Sequence, residues 1–409
     1  MNIGIFTDTY FPQINGVATS TRILERELNN LGHKVFIFTT TDPNIRHSSP
    51  YIFRLPSMPL VFIPTHRMAL FYPPKLLWRI RRLKLDVVHT QSEFPLGVLG
   101  KLVAELYDLP HIHTYHTMWE DYTHYVANGH LITRGMAKRA SRIFCNRASA
   151  VIAPVEKTKQ SLLEYGVKRP IHVIPTGIEL SKFGAEGDTA ALKAELGIAP
   201  DAPVVLFVGR LAKEKSIDVI INAMPELLSA LPGSRLLIIG GGPAEDELKQ
   251  LAEALGISHA VIFAGPKPWS VISHYYHLGD VFVTASTSET QGLTYAEAMA
   301  ARVPVAAKKD PSVEGMIIHG QTGYLFENRD DLAGKLRHIL TNPYEARAVT
   351  DNAHKKISEL SSETFGANVS RLYEEVAANH KPDLRSRLAT RFRVGRGVEV
   401  MTLKRDKEE

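Results

Sequence analysis

Ala285–Ala300, ASTSETQGLTYAEAMA, decides how this chain is read. The run Asp280–Ala285 leading into it is strand-like, and the segment that follows is apolar, helix-forming and carries Glu297. A strand that ends in a loop and opens a helix offers free backbone N–H groups to an anion. Gln291, Gly292 and Leu293 are placed to supply them, and Gly292 lets a ligand approach the main chain closely. Glu289 and Glu297 stand eight positions apart. Within one helix that spacing is roughly 12 Å of rise and about 80° of rotation, so two glutamates there would converge poorly. The spacing therefore predicts Glu289 in the loop and Glu297 in the first turns of the helix, one carboxylate for each end of a polyhydroxyl ligand. A structural reading stands beside it: Thr294 and Glu297 spell a capping box, and Glu289 is a solvated loop acid.

A chain of 409 residues exceeds one ordinary core and predicts two domains. Its composition is that of a soluble globular protein. A single cysteine, Cys145, excludes an intrachain disulfide, fits a reducing cytosol and reads as a packing residue. The N-terminus reads directly as a strand, Met1–Thr7, so no signal peptide is expected. No uncharged apolar run reaches the length of a membrane span. The expectation is a protein that does not cross a bilayer but can rest on one.

Residues 1–175 alternate strand candidates with helix candidates. The strands are Asn2–Thr7, Lys34–Thr39, Asp86–His89, His111–Tyr115, Ala150–Ala153 and His172–Ile174. Thr176–Gly187 reads as a linker. A second series follows at Val204–Val208, Leu236–Ile239, Val261–Ala264, Asp280–Thr284 and Pro304–Ala306. The pattern predicts an α/β protein of two Rossmann-like, doubly wound domains, 1–175 and 176–362, with a cleft between them. A helix follows at 363–380, then a basic tail, 381–409.

Four loops at strand ends carry candidate chemistry. Asp8–Val17, DTYFPQINGV, places Gly16 at a helix start, where the main chain can approach a phosphate; a plain βα turn with a cap explains it equally. It is not a G-x-G-x-x-G fingerprint, so a nicotinamide cofactor is not supported. In HIHTYH, His111 and His113 share a strand face, a weak zinc pattern, while His116 lies just past the carboxyl end where α/β sheets bind ligands. Glu120 and Asp121 follow it as second-tier candidates or solvated loop acids. Val208–Lys215, VGRLAKEK, puts Arg210 and Lys215 where an arginine fork and a lysine charge can hold a diphosphate, with surface charge as the alternative. Gly265 and Lys267 follow the third strand of the second series. The turn Ile239–Pro243 is explained by its geometry alone.

Taken together, E-x7-E, the GR-L…K segment and His116 resemble the retaining nucleotide-sugar glycosyltransferases of family 4, which have the two-lobed GT-B fold. The spellings SETQGLTYAEA and HTYHTMWEDY are especially similar to bacterial members that glucosylate diacylglycerol. The resemblance covers most of residues 1–375. It implies UDP-glucose as the sugar donor and diacylglycerol as the acceptor, with retention of configuration and no required metal or other cofactor. It further implies Arg210, Lys215 and the helix start at Gln291, Gly292 and Leu293 on the diphosphate, Glu289 on the sugar and Glu297 on the ribose. Gly16 and His116 would lie near the reaction centre, and the loop of Gly265 and Lys267 would frame the base. The helix at 363–380 would cross back to the first lobe. Alternatives are another hexose, another or already glycosylated lipid acceptor, an epimerase, or a silent binder on the same scaffold.

Charge is unevenly shared. Residues 1–175 hold 21 Lys and Arg against 12 Asp and Glu, and the remainder 27 against 31. The first half is thus expected to meet something anionic. No acid lies between Asp42 and Asp86, a span that includes Arg67, Phe71, Trp78, Arg79, Arg81 and Arg82. A second acid-free span, Tyr122–Val155, holds Arg134, Lys138, Arg139, Arg142 and Arg147. Basic residues interleaved with aromatic and aliphatic ones suit an anionic bilayer surface. The expectation is peripheral attachment to the cytoplasmic face of the cell membrane; the alternative is apolar core under a solvated face. No nucleic-acid module is present.

Overall fold

Strands that are apolar at consecutive positions need cover on both faces. Val204–Val208, VVLFV, meets that need by alternation. Val205 and Phe207 join a core with Ile217, Ile221, Leu236 and Ile238, while Val204, Leu206 and Val208 join another with Tyr276, Phe282, Tyr295 and Met299. The same period of two runs through Leu236–Ile239 and Val281–Phe282.

The computed structural model describes residues 1–13, 15–43, 45, 49–59, 67–69, 72, 74–118, 133–184, 187–286, 291–311 and 313–381. The chain forms two units: Met1–Ile174 with the segment from Gly366 onward, and Pro175–Phe365. In the first, the strands are β1 (Asn2–Phe6), β2 (Lys34–Thr40), β3 (Ile52–Leu55), β4 (Ser57–Pro59), β5 (Arg67–Ala69), β6 (Val87–Thr90), β7 (His111–Thr114), β8 (Ala150–Ala153) and β9 (Ile171–Val173). Seven form a parallel sheet in the order β3-β2-β1-β6-β7-β8-β9, and β4 pairs antiparallel with β5. In the second unit, β10 (Val204–Val208), β11 (Arg235–Ile239), β12 (Val261–Gly265), β13 (Val281–Thr284), β14 (Val305–Lys308) and β15 (Tyr324–Phe326) form a parallel sheet ordered β12-β11-β10-β13-β14-β15. Both are doubly wound α/β sheets of the GT-B class. Strand order reverses between β1 and β6 in one and between β10 and β13 in the other, the switch points where such sheets take ligands.

The stretch read as a linker is packed. Ile178 bridges to Ser361, and Leu180–Phe183 is a single helical turn that buries Phe183 against Trp269 and Tyr276. Gly177 permits this approach, because a Cβ there would lie 2.5 Å from Ser362 Cα. The helix Ser362–Asn379 belongs to the first unit from Gly366 onward. A Cβ on Gly366 would lie 2.4 Å from Glu27 Cβ, and Val369, Leu372 and Tyr373 are buried.

The first acid-free span supplies core as well as surface. Its helix Pro74–Arg82 buries Leu76 and Ile80 in the core with Leu55 and Leu85, and Leu77 and Tyr72 pack against that core. Arg67 is tied to Ser57, its Nη2 donating to the carbonyl at 2.7 Å. Trp78 is 55% exposed, with the Arg82 guanidinium 3.4 Å from its ring centroid. Arg79 and Arg81 are exposed on the same helix; Phe71 lies outside the described residues. In the second span, the helix Arg134–Cys145 exposes Met136 and Ile143 among its arginines. No helix among the described residues is long and apolar enough to cross a membrane.

Candidate active site

At the β10–β13 switch point two loops meet. The first leaves β10 through Gly209, Arg210 and Leu211 and is pinned by the glycine turn after β11. Gly209 N donates to Ile239 O at 2.9 Å, and Leu211 N to Gly241 O at 3.1 Å. A Cβ on Gly240 would lie 1.8 Å from Gly209 O and one on Gly242 2.3 Å from Leu211 O, so the glycines are there for backbone contact. Arg210 therefore projects from an anchored segment. Its guanidinium pairs with the nearly buried carboxylate of Glu214, which orients it and offsets part of its charge. Lys215, half-buried, closes the 3-10 turn Lys213–Lys215.

The second loop leaves β13. Ser286 Oγ donates to Glu214 O at 3.4 Å, which joins the two loops. Residues 287–290, including Glu289, lie outside the described residues. The chain returns at Gln291, whose side chain accepts from Thr176 N at 2.7 Å and donates to Thr176 O at 2.8 Å. The Gln291 side chain is thus a structural clamp, and only its main chain is left to face a ligand. Gly292 adopts φ 67°, and the helix Leu293–Ala300 starts there with no side-chain cap among the described residues. A Cβ on Gly292 would fall 1.8 Å from the Tyr295 ring, which is held by its hydroxyl donating to Gln291 O at 2.5 Å. Leu293 is the first helical residue.

Glu297 does not close a capping box with Thr294, since the helix has already begun at Leu293. Its carboxylate is buried and accepts from Tyr276 OH at 2.6 Å. Burial pushes it up to about 7, against a downward pull from the Tyr276 hydrogen bond and Lys182. Gly265 takes φ 70° at the end of β12, and Lys267 leans over the Tyr275 ring at 5.0 Å.

In the first unit, Asn15 caps the helix Gly16–Asn30, its Oδ1 accepting from Ala18 N at 2.9 Å, so Gly16 opens a capped helix. Asp8, which sequence reasoning passed over, is buried and accepts from Ser92 Oγ at 2.6 Å and Leu96 N at 3.3 Å. Burial raises it to about 6. His111 Nε2 and His113 Nδ1 both meet Thr90 Oγ1 at 2.9 Å, and among the described residues no group of three His, Cys, Asp or Glu could hold a metal ion. His116 Nε2 lies 2.7 Å from Gln91 Oε1, and burial and His113 push its ring down to about 3, leaving it neutral. Glu120 and Asp121 lie outside the described residues. Cys145 is buried, and its thiol is pushed up by burial.

Residues 14–182 match the family model Glycosyltransferase Family 4, and 188–356 match Glycosyl transferases group 1. An alpha-monoglucosyldiacylglycerol synthase of Streptococcus pneumoniae is 40% identical over 94% of this chain and 88% of its own length. The chain belongs to glycosyltransferase family 4. It is a glycosyltransferase. A second relative, the alpha-monoglucosyldiacylglycerol synthase of Acholeplasma laidlawii, is 34% identical over 91% of this chain and 96% of that one. The fold is shared with Anabaena HepE, solved in complex with UDP-glucose, at a TM-score of 0.74 and 18% identity, covering 92% of this chain and all of that one.

Proposed function

We propose that this glycosyltransferase moves glucose from UDP-glucose onto the 3-hydroxyl of 1,2-diacylglycerol, with retention, to make alpha-monoglucosyldiacylglycerol. The observation that supports the reading is the β10–β13 switch point, where the loop that carries Arg210 and Lys215 is joined through Ser286 to the loop that leads to the helix start at Gly292. Two relatives similar over nearly their whole length bear the name of that activity. As the bond between the sugar's anomeric carbon and the phosphate oxygen breaks, charge gathers on the departing diphosphate. Arg210, Lys215 and the amides after Gly292 offset it. The acceptor oxygen bonds to the same face of that carbon, and its proton passes to the leaving phosphate. No protein nucleophile is needed. We assign Glu289 and His116 to the sugar hydroxyls, Glu297 to the ribose, and Gly265 and Lys267 to the base. This balance calls for no metal or other cofactor.

In the same reading the acceptor is drawn from an anionic membrane, with the enzyme peripheral on its cytoplasmic face. The exposed Trp78 beside Arg79, Arg81 and Arg82 supports that placement. The test is acceptor-dependent UDP release on diacylglycerol vesicles. Lys215→Ala is expected to lower kcat about a hundredfold. Full turnover in Lys215→Ala would remove the diphosphate assignment, and equal turnover with a soluble alcohol would remove the lipid one.

A further inference from the structure

We infer that Gln91 is a positioning residue: it holds His116 as the Nε2–H tautomer and leaves Nδ1 as the atom that accepts a hydrogen bond from a sugar hydroxyl. The inference rests on the reading that His116 faces the sugar. Gln91 follows β6, His116 follows the neighbouring β7, and Gln91 Oε1 lies 2.7 Å from His116 Nε2. An amide oxygen has no proton to give, so the imidazole nitrogen donates. Among the described residues Nδ1 makes no hydrogen bond, and the side chain is partly exposed, so that lone pair is available.

What fixes the amide is His89. Gln91 Nε2 lies 3.2 Å from both ring nitrogens of that fully buried histidine. His89 Nδ1 meets Tyr373 OH at 2.6 Å, and His89 Nε2 meets Thr114 Oγ1 at 2.7 Å. Tyr373 is buried and has no other hydrogen-bond partner among the described residues, so its proton must go to Nδ1 or remain unsatisfied at a cost. His89 then carries its own proton on Nε2 and donates to Thr114. Equal distances from both ring nitrogens put Gln91 Nε2 over the face of the His89 ring, where an amide N–H meets the π cloud and the oxygen of a reversed amide would be repelled. Tyr373 therefore donates to His89 Nδ1, Gln91 rests its amide N–H on the face of that ring, and His116 donates to Gln91 Oε1. Burial and neighbouring histidines hold His89 neutral, and His116 is neutral for the same reasons. The titratable groups closest to the relay are His111, His113 and Glu93, the last 3.4 Å from His113 Nε2.

The experiment is two-bond proton–nitrogen NMR on the full chain labelled with nitrogen-15 in histidine, beside transferase kinetics on vesicles. The wild-type His116 signal is expected as a single neutral Nε2–H tautomer. Gln91→Glu keeps an oxygen acceptor, so the tautomer should persist while the ring's protonation moves to higher pH. Gln91→Leu removes the acceptor and should give mixed tautomers, with kcat down about tenfold and the UDP-glucose KM within about twofold. A wild-type Nδ1–H tautomer, or unchanged tautomer and kcat in Gln91→Leu, overturns the inference. The spectrum tests Gln91 without reference to activity. An intact transfer rate in His116→Ala would instead overturn the placement of His116 at the sugar.

Discussion

Replacing Glu297 by glutamine should stabilise this protein at alkaline pH and weaken its hold on the sugar donor. Glu297 is 5% exposed, and burial raises its carboxyl from its ordinary 4.5 to about 7. In the unfolded chain it titrates near 4.5. Between these values the folded state binds the proton that the unfolded state has lost, so stability falls as pH rises through the window. At about 1.4 kcal/mol per pH unit, the loss is about 3 kcal/mol by pH 8. Glutamine keeps an oxygen for the Tyr276 hydroxyl and has no proton to lose. The advantage of Glu297→Gln over wild type should therefore grow by about 3 kcal/mol between pH 4.5 and pH 8. Asp8, raised to about 6 from 3.8, leaves a residual slope of the same sign at lower pH in both proteins. Urea unfolding at four pH values, followed by circular dichroism, reads the difference. Ribose hydroxyls that donate to the carboxylate favour its charged form, so UDP affinity of the wild type should rise through pH 7 and that of the variant should not. A stability difference that does not change with pH would refute the reasoning.

Gly292→Ala places a methyl group against a ring locked by its hydroxyl and forces a left-handed backbone on alanine. It should cost at least about 2 kcal/mol in thermal unfolding and most of the activity; an unchanged melting temperature would count against that geometry. Arg79, Arg81 and Arg82 changed together to alanine should weaken binding to anionic vesicles about a hundredfold, at about 1 kcal/mol each. Flotation that is unaffected, or equally affected on neutral vesicles, would move the membrane face elsewhere. Gly240→Ala should unseat the Arg210 segment and depress kcat more than the KM of the sugar donor, read by steady-state kinetics.

The two doubly wound sheets were legible because consecutive apolar residues such as VVLFV have one economical use, a strand covered on both faces. The elements sequence reasoning missed, β3, β4, β5 and β15, are three or four residues long, and β3 and β15 are edge strands set by pairing rather than by pattern. The loops of the site were legible as strand ends followed by glycine and charge. Their fixation was not. Gln291 on Thr176 and Tyr373 on His89 join residues 115 and 284 positions apart, and no local spacing encodes such contacts. The same limit explains Leu76 and Tyr72, whose place in the core depends on strands far along the chain.

The most direct test of the account is a panel of UDP- and GDP-sugars offered with diacylglycerol vesicles, the lipid product identified by mass and its anomeric proton by NMR. UDP-glucose alone should give a monohexosyl diacylglycerol with the alpha signal. A beta product, a product from another nucleotide sugar in preference, or UDP release without any lipid product would contradict it.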